Sequence, residues 1–137
     1  MQGVYRDAIL NKVSGFTTDQ RFRHILGQQR STFSLLDAME TLFDLLTQEP
    51  EAAVRAVLGH HLFVFIHPYF DGNGRIGRFL MNTMLASGGY PWTVIRVEDR
   101  ETYLRALDAA SLEQKIEPFA RFIAACVKAG SAGQAQA

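Results

Sequence analysis

The chain holds one cysteine, Cys126, so an intramolecular disulfide and a thiolate zinc cluster are both excluded. Cys126 lies in the apolar run Phe122 to Val127 and reads as a buried free thiol. An excess of one charge is also missing: 14 Lys plus Arg balance 14 Asp plus Glu, for a net charge of zero. Without a basic surplus the chain is a poor candidate for gripping a nucleic-acid backbone, and no nucleic-acid partner is expected. Long hydrophobic runs are absent. The longest unbroken stretch of large apolar residues, Leu62 to Ile66, is far too short to span a bilayer, so no membrane partner is expected either. Met1 to Lys12 lacks the apolar centre of a signal peptide. The expected location is therefore cytoplasmic, or a host cytosol into which the protein is delivered. What remains is 137 residues, 47% hydrophobic and 20% charged. That suits one compact domain, with roughly two-thirds of the unfolded surface buried on folding.

Periodicity makes most of the chain helical. Leu35, Met39, Leu42 and Leu46 recur at helical spacing and predict a helix from near Ser34 to before Pro50. A second stripe, Val54, Val57, Leu58, His61, Leu62 and Phe65, predicts another that ends at His67-Pro68. Ile76, Phe79, Leu80, Thr83 and Met84 mark a third, stopped by Gly88-Gly89. Asp99 suits the N-cap of a fourth carrying Tyr103, Leu104 and Leu107. Pro118 suits the first turn of a fifth that ends at Gly130, leaving 131–137 as a frayed tail. One region breaks the pattern. Gly15, Thr17, Thr18 and Asp19 read as a turn between short apolar stretches, which predicts a small β-hairpin over residues 11–30.

The chemistry concentrates in His67-Pro68-Tyr69-Phe70-Asp71-Gly72-Asn73-Gly74-Arg75-Ile76-Gly77-Arg78. Gly72 and Gly74 let backbone amides approach a ligand closely, and a helix beginning near Arg75 aims unsatisfied N–H groups at the same place. Arg75 and Arg78 lie side by side on that first turn, where cations oppose the helix dipole at about 0.3–1 kcal/mol each. A multiply charged anion resolves all of these features, and guanidinium forks fit phosphate oxygens. Asp71 adds a carboxylate that would repel the anion unless a hard cation bridges them, the usual arrangement for Mg2+ on a nucleotide. His67 is the nearby side chain suited to take a proton near neutrality. Together these read as phosphoryl or nucleotidyl transfer. Gly72, Gly74 and Gly77 also match the dinucleotide-binding glycine pattern, with Glu98 about twenty residues on. That pattern needs a preceding strand and a βαβ unit, and here the preceding segment has helical phase.

The whole stretch resembles the signature of the Fic family, His-Pro-Phe-x-Asp/Glu-Gly-Asn-Gly/Lys-Arg-x-x-Arg. Gly3-Val4-Tyr5-Arg6, His60 with Phe63 and Ile66, Gly89-Tyr90-Pro91, Arg100 with Tyr103, and Ala106-Leu107 look like further family segments, so the likeness runs from Gly3 to Val127. The resemblance implies an all-α domain that binds ATP with Mg2+ and transfers AMP to a Tyr, Thr or Ser hydroxyl of a target protein. It implies His67 as the base, Asp71 as the magnesium ligand, Gly72, Asn73 and Gly74 as the anion hole, and Arg75 and Arg78 on the distal phosphates. Family members that transfer phosphate instead carry lysine where Gly74 stands, so Gly74 favours AMP. The predicted hairpin looks like the family's flap, which docks target backbone as an added strand, with Val13, Phe16 and Phe22 as its docking residues. Two departures stand out. Tyr69 replaces the usual phenylalanine, and its hydroxyl needs a partner if buried. Many relatives also carry an inhibitory Ser/Thr-x-x-x-Glu-Gly/Asn helix, and the nearest match, Thr47 to Glu51, is followed by Ala52 and broken by Pro50. An inhibitor then comes from another chain, or the segment is missing.

Bland readings stand beside these. His24 reads as a surface residue, and His60 and His61 as packed structural histidines rather than metal ligands. Asp71 suits a helix cap as well as a metal. Tyr90, Trp92 and Tyr103 read as packing. Solvated surface charge accounts poorly for Arg75 and Arg78, given the helix start. The expectation is one Fic-like domain over residues 1–130, all-α with a hairpin flap, acting as a protein adenylyltransferase; a homodimer is left open. The rivals are a nucleotide-binding regulatory module without turnover, against which the intact His67 argues, and Fic-type transfer of another phosphate-containing group.

Overall fold

The computed structural model describes residues 10–27 and 32–136. Those residues are all-helical, with no strand among them. Residues 10–15 are helical (α1), and Phe16–Thr18 form a 3-10 turn leading to α2 (Gln20–Gly27). Then come α3 (Thr32–Gln48), α4 (Ala52–Ile66), α5 (Asn73–Ser87), a 3-10 turn at Val97–Asp99, α6 (Arg100–Leu112) and α7 (Glu117–Gln136).

Helix α4 is the axis of the molecule. It packs against α2, α3, α5, α6 and α7, and most of its 15 residues are buried. A helix covered on every side needs apolar residues on every side. That is why Leu62 to Ile66 reads, in isolation, like a buried strand. Helices α4 and α5 run antiparallel in close contact. A Cβ on Gly77 would meet Val64 Cγ2 at 3.0 Å and His60 Nδ1 at 3.4 Å, whereas one on Gly59, at the other end of the pair, would meet Met84 Sδ at 3.1 Å. Gly77 therefore serves helix packing. With α4 in front of it and no strand nearby among the described residues, the dinucleotide-binding reading is excluded.

The hairpin over 11–30 is corrected, since residues 10–27 are helical and 28–31 lie outside the described residues. Leu10 and Val13, then Phe22 and Ile25, are three apart, and all four are buried. Asp19, read as a turn residue, is instead the N-cap of α2. Its Oδ1 accepts the N–H groups of Arg21 at 2.8 Å and Phe22 at 3.3 Å. Partial burial pushes that carboxyl up, but bonds from the Arg21 side chain and from both amides outweigh this and hold it below its ordinary value. Val13 and Phe22, at 0% and 1% exposed, are core residues and cannot dock a target strand; Phe16 is partly buried against the same core.

Three further expectations meet the structure. Helix α7 continues past Gly130 to Gln136, so the predicted stop is not used. Cys126 is only half-buried, and burial raises its thiol pKa. The match at Thr47 to Glu51 straddles the end of α3 and the N-cap of α4, so it is not a helical segment.

Candidate active site

Residues 67–72 join the end of α4 to the start of α5. Pro68 cannot continue α4, and His67 closes it in the left-handed region (φ 56°, ψ 59°), its N–H bonding to Phe63 C=O at 3.0 Å. A pre-proline residue is ordinarily extended. The left-handed turn costs a residue with a Cβ about 1 kcal/mol and brings the chain out of the core. The His67 side chain is exposed, not sealed inside.

Asn73 fixes the loop. Its Oδ1 accepts the Tyr69 N–H at 3.0 Å and its Nδ2 donates to the Tyr69 C=O at 2.7 Å, with the residue only 3% exposed. The side chain expected in an anion hole is thus committed to the backbone, and Asn73 has its main-chain amide to offer. Gly72 precedes it at φ 80°, a conformation that glycine adopts without strain. The Gly72 N–H is occupied by Asp71 Oδ1 at 2.8 Å. The first intrahelical bond of α5 runs from Ile76 N–H to Gly72 C=O. The amides of Asn73, Gly74 and Arg75 precede that bond, and Gly72 provides no side-chain cap. The anion cradle therefore sits on those three residues, one position further along than the glycines suggest.

Arg75 is exposed on this first turn. Arg78 folds back along α5, placing Nη1 only 3.2 Å from where a Cβ on Gly74 would stand. A side chain at residue 74 would press on that guanidinium, and a lysine would add a second cation beside it. On its inner side Arg78 faces the Tyr103 hydroxyl, which burial pushes to a raised pKa while the hydrogen bond and charge of Arg78 draw it back. Tyr103 Oη in turn lies 2.8 Å from His60 Nε2. Burial, joined by the Arg78 charge, pushes His60 down to about 4, so its ring is neutral at pH 7. His60 is packed and hydrogen-bonded, as expected. His61 is buried beside Phe22, Phe65 and Phe119 and likewise pushed down to about 4 by burial. His24 is on the surface, paired with Asp37.

Asp71 is exposed beside the open amides, and one carboxylate oxygen is taken by Gly72. No group of three or more His, Cys, Asp or Glu among the described residues converges to hold a metal. A single carboxylate fits the mode in which Mg2+ keeps its waters and takes its other ligands from substrate phosphates. Tyr69 is 57% exposed, so its hydroxyl needs no buried partner. Sequence reasoning missed Asn82, whose side chain bonds Thr93 N–H at 2.7 Å and Thr93 C=O at 2.9 Å and ties the loop after α5 back to that helix. It also left the contact between Arg78 and Tyr103 unread. A polar tip in each apolar stripe was the available signal. The Gly3-Val4-Tyr5-Arg6 element lies outside the described residues.

The sequence profile of the Fic/DOC family matches residues 1–85, which takes in α4, the loop and nearly all of α5. The chain belongs to the Fic/DOC family. Among its relatives is the protein adenylyltransferase Fic of Nematostella vectensis, 42% identical over 87 residues, covering 61% of this chain and 20% of that protein. The protein of the same name from Drosophila willistoni is 42% identical over 94 residues, 66% of this chain and 19% of the relative. That of Drosophila grimshawi is 48% identical over 73 residues, 53% and 15% respectively. This Fic/DOC chain thus spans about a fifth or less of the length of the curated relatives it matches.

Proposed function

We propose that the chain is a protein adenylyltransferase, moving AMP from ATP to a hydroxyl on a target protein. The observation that carries the reading is the Arg78 guanidinium turned back over Gly74, beside the open amides of α5 and one loop away from an exposed His67. The named relatives agree with it. In this reading the target's Tyr, Thr or Ser oxygen forms a bond to the α-phosphorus as the bond to the bridging oxygen breaks, and pyrophosphate leaves. His67 takes the hydroxyl proton. The amides of Asn73, Gly74 and Arg75 hold phosphate oxygens, and Arg75 and Arg78 hold the distal phosphates. Asp71 would hold Mg2+, which when bound neutralises phosphate charge. Gly74 supports AMP rather than phosphate as the transferred group. A reducing, cytoplasm-like setting suits the lone thiol of Cys126.

Labelled ATP with a cell lysate tests the reading. His67→Ala should lower label transfer on the order of a hundredfold or more while ATP affinity stays near wild type. Equal loss of both would refute the base assignment. Tight ATP binding by the wild type, with no label on itself or any lysate protein, would point to a regulatory module.

A further inference from the structure

The link between Arg78, Tyr103 and His60 joins three helices behind the proposed phosphate seat. Tyr103 on α6 is 5% exposed and His60 on α4 is 0% exposed. Their rings lie 5.6 Å apart, with Phe119 of α7 closing against His60 at 5.2 Å. Burial of two polar tips in an apolar stripe costs stability unless they satisfy each other.

The chemistry gives the link a direction. A guanidinium only donates, so Arg78 donates to Tyr103 Oη. The phenol has one proton, and the acceptor within reach is His60 Nε2 at 2.8 Å. A neutral His60 accepts it. The opposite order would aim two donors at Oη and leave the phenolic proton without this acceptor. Each group therefore has one orientation, set by the next one inward, ending on the axial helix.

We propose that Tyr103, held by His60, is a positioning residue for Arg78, fixing its guanidinium over the first turn of α5 before nucleotide arrives. This rests on the reading of Arg78 as a distal-phosphate ligand. An arginine on a free stem would lose rotamer freedom on binding, and one already held loses less. Gly74 leaves the space in which the held guanidinium lies. Tyr103 would therefore raise affinity for the triphosphate tail without touching the nucleotide.

The test compares ATP and AMP dissociation constants by calorimetry for wild type, Arg78→Ala, Tyr103→Phe and the double variant. Tyr103→Phe should weaken ATP on the order of tenfold, leave AMP unchanged, and have no further effect once Arg78 is gone. A role in packing alone predicts the same ATP-to-AMP ratio as wild type. That ratio in Tyr103→Phe, alongside a reduced ratio in Arg78→Ala, would overturn the proposal and leave the phosphate role of Arg78 standing. An unchanged ratio in Arg78→Ala would overturn both. Should Tyr103→Phe not fold, His60→Leu and His60→Gln read the same link. Loss of ATP preference with leucine and retention with glutamine, which keeps an acceptor, supports it; retention in both overturns it.

Discussion

At the residue scale, Asn73 is the side chain on which the loop most depends, because both ends of its amide bond one residue's backbone. Asn73→Ala leaves the Tyr69 N–H and C=O without those partners, and we expect a loss of about 2 kcal/mol in urea unfolding. Asn73→Asp restores an acceptor for the Tyr69 N–H but sets an oxygen against the Tyr69 carbonyl and a negative charge beside the anion cradle. It should bind ATP more weakly than the alanine variant; equal ATP affinity would show that the cradle lies elsewhere. The residues that carry chemistry were legible in the sequence because glycine, arginine, histidine and aspartate at those spacings have few other reasons to occur together. Their division of labour was not. Whether Asn73 offers an anion its side chain or only its amide depends on where the loop backbone passes, and spacing does not encode that.

At the scale of elements, the contact between α4 and α5 distinguishes two glycines that look alike in sequence. A methyl on Gly59 meets the flexible end of Met84, which can swing away. Gly59→Ala should then be neutral or stabilising by up to about 1 kcal/mol, from helix propensity. A methyl on Gly77 meets the branched Val64 and the ring of His60, neither of which can yield easily. Gly77→Ala should destabilise by about 1–2 kcal/mol, as overpacking outweighs propensity, and should weaken ATP binding by shifting the turn that carries Arg78. Thermal melts of the two variants check the contrast; a Gly77→Ala protein as stable as Gly59→Ala would contradict it. Helices α3 to α6 were readable because each shows a stripe or a stop at the right phase. The first two helices were not. A pair of apolar residues three apart fits a short helix and a twisted strand about equally well, and Thr-Thr-Asp suits a turn as well as an N-cap. Burial against α3 and α4 settles that choice, and it is a tertiary fact.

At the scale of the whole molecule, two histidines lie in the centre with their rings pushed down to about 4, below the ordinary value of 6.5. The unfolded chain protonates them near 6.5 and the folded chain does not, so the unfolded state binds more protons across that window. Stability should be full above pH 6.5 and fall as pH drops towards 4, by up to about 1.4 kcal/mol per histidine per pH unit. Urea midpoints from pH 7 to 4 should show this slope. His61 has no hydrogen-bond partner on either ring nitrogen, and an apolar replacement of similar size should cost little or nothing. His61→Leu should remove about half of the slope; a slope unchanged by His61→Leu would place the acid sensitivity elsewhere. None of the helices, among the described residues, is long and apolar enough to cross a membrane.

The left-handed backbone at His67 sets evolution of this molecule against itself. Glycine would sit there more comfortably than any residue with a Cβ, and His67→Gly should gain about 1 kcal/mol in unfolding free energy while abolishing label transfer. Directed selection for heat resistance alone would therefore drift towards an inert protein, and any campaign to harden this scaffold must hold that one histidine constant.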